Sequence, residues 1–119
     1  MTQATWAWVI IIIMEDDMAK FVFAYRGGST PTSEAEGAKV MEAWVSWFGA
    51  LGAAVIDGGN PFGASTAIAS DGSTTTPTAG LGGYSIISAD DLAAAAELAK
   101  GSPVLAAGGT VEVYEAMDM

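Results

Sequence analysis

The order of strand and helix patterns along the chain limits its fold more than any other feature. Strand patterns and helix patterns occupy Lys20–Tyr25, Ser33–Gly52, Ala53–Ile56, Gly83–Ser88, Asp90–Lys100 and Thr110–Glu115. The second and fifth segments carry apolar residues at helical spacing, and the others are short apolar or alternating runs typical of strands. The predicted order is therefore β-α-β-β-α-β, two strand–helix–strand halves in tandem.

Right-handed crossovers turn this order into one antiparallel four-stranded sheet with both helices on one face. We therefore predict an α+β protein with the ferredoxin-like βαββαβ arrangement. The opposite sheet face has no helices left to cover it, so it must meet another apolar surface. A second copy of the same face is the simplest partner, which predicts a homodimer through the sheet faces.

The first helix has clear start and stop signals. Ser33 and Glu36 have the spacing of a capping box, and Gly52 is typical of a helix C-cap. Between them an apolar stripe at helical spacing is predicted to face the sheet. The stripe consists of Val40, Trp44, Trp47, Phe48 and Leu51.

The second helix is shorter and rich in alanine. Ser88 and Asp91 form a weaker capping pair before it, and Gly101 and Pro103 are expected to stop it. Its inward residues are predicted to be Leu92, Ala95, Ala96 and Ala99.

A bend is predicted within the second strand, at Asp57–Gly63, with the strand resuming around Ala64–Ala69. The stretch Asp57-Gly58-Gly59-Asn60-Pro61-Phe62-Gly63 presents an acid, an amide and an aromatic ring among glycines. Asp57 next to aromatic residues is a candidate acid or base, and Asn60 is a candidate donor to a carbonyl or oxyanion. The alternative is structural, because Asp and Asn beside Gly and Pro commonly hold turns through their own backbone.

Residues 1–17 differ in character from the remainder and precede a predicted domain at 18–119. Their β-branched run Val9–Ile13 favours a strand. Either they are an extension that the domain does not need, or they add an edge strand. The apolar run Trp6–Met14 is about half the length that a bilayer span requires, and it lacks the flanks of a secretory signal. The expected location is therefore the cytoplasm.

Composition excludes several kinds of chemistry. The chain has no histidine and no cysteine, which removes the commonest general base, the commonest zinc ligand and thiolate chemistry. Four Lys and Arg residues against 14 Asp and Glu residues give a net charge of −10, which disfavours nucleic acid and anionic membranes as partners. No acidic cluster has calcium-loop spacing and no glycine motif fits a nucleotide, so we predict no metal and no cofactor.

Aromatic and charged residues near the predicted bend complete the candidate site. Trp44, Trp47 and Phe48 either line a pocket between helix and sheet or are plain core. Arg26 either clamps an anionic ligand or forms a surface ion pair. The predicted ligand-binding residues are Arg26, Trp44, Trp47, Phe48, Asp57, Asn60, Phe62 and Tyr84.

Three motifs in this order resemble the YCII-related family of small dimeric α+β barrel proteins. They are AWVSWFGALGAAVIDGGNPFG from Ala43 to Gly63, GGYSII from Gly82 to Ile87, and AGGTVEVYE from Ala107 to Glu115. The resemblance covers Met18 to about Ala116. It implies a ferredoxin-like subunit that pairs sheet to sheet as a homodimer, and it implies no generally established reaction.

Two features of related proteins are not carried over to this chain. Some members look like enzymes with a His–Asp pair in a cleft, and this chain has no histidine. Related branches have an Asp-Gly-Pro-Phe motif before the third strand, where this chain has a Thr-rich loop. Its own Asn60-Pro61-Phe62 lies elsewhere.

Two functions remain open from the sequence. The first is a binding or accessory module for a small, partly apolar ligand. The alternative is a cofactor-independent enzyme, isomerase-like or oxygenase-like, that acts on a small aromatic or dicarbonyl metabolite. Its candidate residues are Asp57, Asn60, Arg26 and Trp44, and no catalytic role is assigned among them.

Overall fold

The computed structural model describes residues 18–118 of the chain, so the predicted extension or edge strand at 1–17 lies outside the described residues. The strands are β1 (Ala19–Arg26), β2 (Val55–Asp57), β3 (Ala67–Ile68), β4 (Thr74–Thr75), β5 (Leu81–Ala89) and β6 (Thr110–Ala116). The helices are α1 (Glu34–Leu51), α2 (Leu92–Ala99) and the short α3 (Pro103–Ala106), with a 3₁₀ turn at Gly52–Ala54 after α1. None of the helices in this part of the chain is long and apolar enough to cross a membrane.

The main sheet has four strands in the order β2-β5-β1-β6, and every neighbouring pair is antiparallel. The predicted α+β class with a four-stranded antiparallel sheet is confirmed. Strand β1 is central, and its Phe21 lies opposite Ile87 on one side and Glu115 on the other. Facing residues of an antiparallel pair share one face of the sheet, so this register determines which side chains meet the helices.

One face of the sheet carries the core. Phe21, Phe23 and Tyr25 of β1 are buried, whereas the intervening Val22 and Ala24 are half-buried on the opposite face. The helices contribute Trp47, Ala95, Ala99 and Val104 to the same buried cluster. Strand alternation therefore separates a helix-covered face from an open face, against which no helix of residues 18–118 packs.

Helix α1 begins and ends where the sequence predicts. The Ser33 hydroxyl accepts a hydrogen bond from the Glu36 N–H at 3.1 Å, and Gly52 caps the other end with φ 58°. The return bond of the capping box differs, because the Glu36 carboxylate accepts from the Thr32 N–H and hydroxyl, at 2.8 and 2.6 Å. Trp44, Trp47, Phe48 and Leu51 pack toward the sheet, while Val40 is 39% exposed.

Helix α2 starts later than predicted, and the proposed capping role of Ser88 is wrong. Ser88 stays in β5 because it pairs with Lys20 of β1, and the cap is Asp91, whose carboxylate accepts from the Ala94 N–H at 2.8 Å. Ala95 and Ala99 face inward as predicted, but Leu92 is 53% exposed and Ala96 is also exposed.

Pro103 begins a new helix beyond the end of α2. It occupies the first turn of α3 behind the cap Ser102, a position where its missing N–H costs nothing.

The predicted resumption of the second strand at Ala64–Ala69 is also wrong. Ala67–Ile68 pairs with Thr74–Thr75 in a separate two-stranded sheet, closed by a turn at Asp71-Gly72. In the main sheet β2 is followed by Pro61, which bridges to Gly83 of β5. The turn after Asp57 is short, so the chain returns to the main sheet at Pro61, before the predicted Ala64.

Candidate functional site

A cavity of about 400 Å³ lies between helix α1 and the loop that follows β2; we call it the helix–sheet crevice. Its volume is within the range typical of small-molecule sites. Helix α1 lines it with Val40, Met41, Trp44 and Phe48, and α3 lines it with Val104. The other lining residues come from β1, β5 and the adjoining loops: Tyr25, Gly27, Gly58, Gly59, Asn60, Pro61, Gly82, Gly83 and Tyr84.

Aromatic rings form one wall of the crevice. Trp44 meets the Tyr25 ring edge to face, with centroids 4.9 Å apart, and lies 5.8 Å from the Phe48 ring. Trp44 and Phe48 are four residues apart, so α1 presents both on the same side. Helical spacing therefore builds this wall directly.

The loop Gly58–Pro61 forms the facing wall, and Asp57 supports it from outside the crevice. The Asp57 carboxylate accepts a hydrogen bond from the Gly59 N–H at 2.8 Å. Gly59 has φ 75°, and a Cβ at this position would overlap the carbonyl oxygen of Tyr84. Only glycine allows both this backbone conformation and this close approach to β5.

A buried hydrogen-bond chain joins β1 and β5 to this loop. The Tyr25 hydroxyl donates to Ser85 Oγ at 2.7 Å, and the Ser85 hydroxyl donates to the Gly58 carbonyl at 2.7 Å. Ser85 is 0% exposed, and burial raises the pKa of Tyr25 to about 12, although its hydrogen bond with Ser85 acts in the opposite direction. At neutral pH both hydroxyl groups are therefore uncharged and hold the loop against the sheet.

Neither Tyr25 nor Ser85 is among the ligand-binding residues predicted from the sequence. The sequence contained a signal for Ser85, because strand spacing puts it in the same row as Ile87 and Ala89, on the buried face of β5. A polar residue in such a row needs a hydrogen-bond partner, which points to a specific contact.

Four of the eight predicted ligand-binding residues line the crevice: Trp44, Phe48, Asn60 and Tyr84. Trp47 lies in the core instead, stacked on Phe23 with centroids 6.2 Å apart. Its indole N–H donates to the Leu98 carbonyl at 3.3 Å. Trp47 also borders a second, wider groove of about 920 Å³ between α1 and the segment from Lys100 to Ala107.

Arg26 and Phe62 are not among the lining residues of the crevice. Arg26 Nε donates to the Glu112 carboxylate at 2.9 Å, and this bond, together with one from the Tyr114 hydroxyl, lowers the pKa of Glu112. Phe62 stacks on the Tyr84 ring with centroids 5.7 Å apart and is partly exposed.

The crevice offers apolar surface and backbone polar groups. No Asp, Glu, Lys or Arg side chain is among its lining residues in the described chain. Within residues 18–118, no group of three or more potential metal-binding side chains comes together. This arrangement can enclose an apolar group and orient it by hydrogen bonds, whereas proton transfer by a carboxylate would need a residue from outside the crevice.

Fold and crevice together define a small α+β protein with a ligand-sized space between its sheet and its long helix. The chain belongs to the YCII-related domain family, whose pattern matches residues 21–119. This confirms the family resemblance in the three sequence motifs. Searches of curated proteins and of solved structures gave no significant match.

Proposed function

We propose that this protein is a binding or accessory module that holds a small, partly apolar ligand in the helix–sheet crevice. The observation that carries the proposal is the lining itself, in which aromatic side chains from α1 face glycine backbone without any charged side chain. Such a lining favours burial of apolar surface and supplies hydrogen bonds only for orientation.

The enzymatic alternative, a cofactor-independent isomerase or oxygenase for a small aromatic or dicarbonyl compound, has weaker support. The Asp57 carboxylate already accepts a hydrogen bond from the Gly59 N–H within its own turn. The Tyr25 phenol has a pKa of about 12 and stays protonated at neutral pH, which makes it a poor general base. Asn60 remains as a donor for a carbonyl oxygen, and this supports binding as much as reaction.

We further propose a ferredoxin-like subunit that forms a homodimer of the α+β barrel type in the cytoplasm. The strand order β2-β5-β1-β6 supports the ferredoxin-like arrangement. The open sheet face supports the dimer, because Val22, Ala24 and Ile86 lie half-buried there beside the Phe62–Tyr84 stack. A second copy of this face would remove these apolar side chains from water.

A thermal-shift screen against small neutral and charged metabolites tests the binding function. Hits are then assayed for turnover across pH. We expect a rise in the unfolding temperature without product formation. A turnover rate with a carboxylate-like pH limb would contradict the proposal and favour the enzyme, and no stabilising compound in the whole screen would contradict both.

A further inference from the structure

We infer that the ligand of the helix–sheet crevice is a neutral, flat aromatic molecule of one or two rings, rather than an organic anion or cation. This inference rests on the proposed binding function and adds the chemical class of the ligand. Three properties of the described residues support it: the lack of counter-charge, the distribution of the basic side chains, and the aromatic side chains in the lining of the crevice.

A charged ligand would have no counter-ion in the crevice. The lining residues of the described chain include no carboxylate and no basic side chain. The uncharged polar residues among them are Tyr25, whose hydroxyl is bonded to Ser85, Asn60, and Tyr84, whose ring stacks on Phe62 at the open face of the sheet. A buried charge without a partner is strongly unfavourable, whichever its sign, whereas a neutral polar group needs only hydrogen bonds.

The basic side chains of the described residues lie elsewhere. Arg26 is paired with Glu112 at 2.9 Å, and Lys100 with Glu97 at 2.7 Å. Lys39 borders the wider groove, and neither it nor Lys20 lines the crevice. Against a net charge of −10 for the chain, an anion therefore meets repulsion without a compensating contact.

The aromatic wall of the crevice lies close to the loop Gly58–Pro61. A Cβ at Gly58 would lie 3.8 Å from two ring carbons of Phe48, which is ordinary van der Waals contact. Gly58, Gly59, Gly82 and Gly83 line the crevice together with Trp44 and Phe48, and they add no side chains of their own. A planar ring system can stack on the aromatic side chains of this lining.

The test is isothermal titration calorimetry at pH 7 with three probes of the same ring system. They are 2-naphthol, which is neutral, 2-naphthoate, an anion, and 2-naphthylmethylammonium, a cation. We expect 2-naphthol to bind at least about tenfold more tightly than either charged probe, because burying an unpaired charge opposes binding. Equal or tighter binding of a charged probe would overturn the inference while leaving the binding function in place.

A matched pair of variants locates the binding. Gly58→Leu places a side chain against Phe48 inside the crevice, whereas Gly63→Leu adds the same side chain where no atom lies within 4 Å. Neither glycine has a positive φ, so both positions accept a larger residue without backbone strain. We expect Gly58→Leu to weaken 2-naphthol binding at least about tenfold and Gly63→Leu to leave it unchanged.

A second measurement keeps the location testable if Gly58→Leu fails to fold. The indole N–H signal of Trp44 in the unaltered protein is expected to shift on addition of 2-naphthol. Equal binding by Gly58→Leu, or no shift at Trp44, would place the probe elsewhere and overturn the inference. Failure of all three probes to bind would instead contradict the binding function itself.

Discussion

The Tyr25 hydroxyl shows how one residue links the core to the candidate site. Its ring belongs to the buried cluster, and its hydroxyl donates to Ser85, which in turn donates to the Gly58 carbonyl. A hydrogen bond of this buried kind contributes about 1 kcal/mol, and an orphaned partner costs more. Tyr25 therefore lines the crevice and, through Ser85, also holds the loop Gly58–Pro61 in place.

Stability at alkaline pH reports on this residue. Burial raises the pKa of Tyr25 from its ordinary 10.0 to about 12. Between these values the unfolded chain loses the proton and the folded chain keeps it, so stability is complete below pH 10 and falls as pH rises toward 12. We expect a loss of about 2 kcal/mol from this group over that interval.

Urea unfolding of Tyr25→Phe from pH 7 to 12 measures this contribution. At pH 7 the variant should lose about 1 kcal/mol, and its alkaline decline should be shallower than that of the unaltered protein. Identical pH profiles for the unaltered protein and Tyr25→Phe would contradict the prediction.

Gly59 tests the close approach between the loop and β5. Gly59→Ala combines a strained φ of 75° with overlap at the Tyr84 carbonyl, so we expect a loss of about 3 kcal/mol or more. Gly63→Ala, with no atom within 4 Å of its Cβ, should change stability by less than about 0.5 kcal/mol. Denaturant unfolding of both variants measures these losses. Similar free energies of unfolding for the two variants would contradict a close contact between Gly59 and β5.

At the scale of the element, helix α1 combines a strong local signal with sparse packing. Its caps lie where the sequence predicts them, yet Trp47 is the one buried residue of this helix. Met41 and Val45 are 63% and 66% exposed. Helix stability thus depends on the caps and on a few large aromatic contacts.

The cap can be tested directly. Ser33→Ala removes the acceptor for the Glu36 N–H, and we expect a loss of about 1 kcal/mol. Ser46→Ala makes the same change at an exposed position in the middle of α1, where the better helix propensity of alanine should be neutral or raise stability by about 0.5 kcal/mol. Circular dichroism during thermal unfolding distinguishes the two, and equal effects would exclude the capping role.

At the scale of the whole molecule, the open sheet face has no covering helix among the described residues. Its half-buried Val22, Ala24 and Ile86 lie in the centre of the sheet, and the Arg26–Glu112 pair lies on the same face. Apolar side chains surrounded by polar ones are typical of protein interfaces.

Light scattering after size exclusion tests the homodimer. The unaltered protein should elute with twice the mass of the 12.1 kDa chain. Val22→Glu places a charge in the centre of the proposed interface and should shift the protein to monomer. Val45→Glu adds the same charge on the exposed side of α1 and should leave the dimer intact. A monomer for the unaltered protein at micromolar concentration would refute the dimer.

The sequence determined the α+β class, the order of the four main-sheet strands and the two longer helices along the chain, and the ends of α1, because caps, helical spacing and strand patterns act over a few neighbouring residues. It also identified the aromatic residues Trp44 and Phe48, whose spacing makes them one wall. It missed the β3–β4 sheet and helix α3. The predicted capping role of Ser88 was wrong because pairing of Ser88 with Lys20 across the sheet outweighed the local capping signal.

Only the tertiary structure decided how the candidate residues are grouped. Trp47 and Trp44 lie three residues apart, yet one packs into the core and the other lines the crevice. Tyr25 and Ser85 are separated by 60 positions and meet because β1 and β5 are neighbours. Contacts of this range depend on strand order and register, which local patterns do not encode.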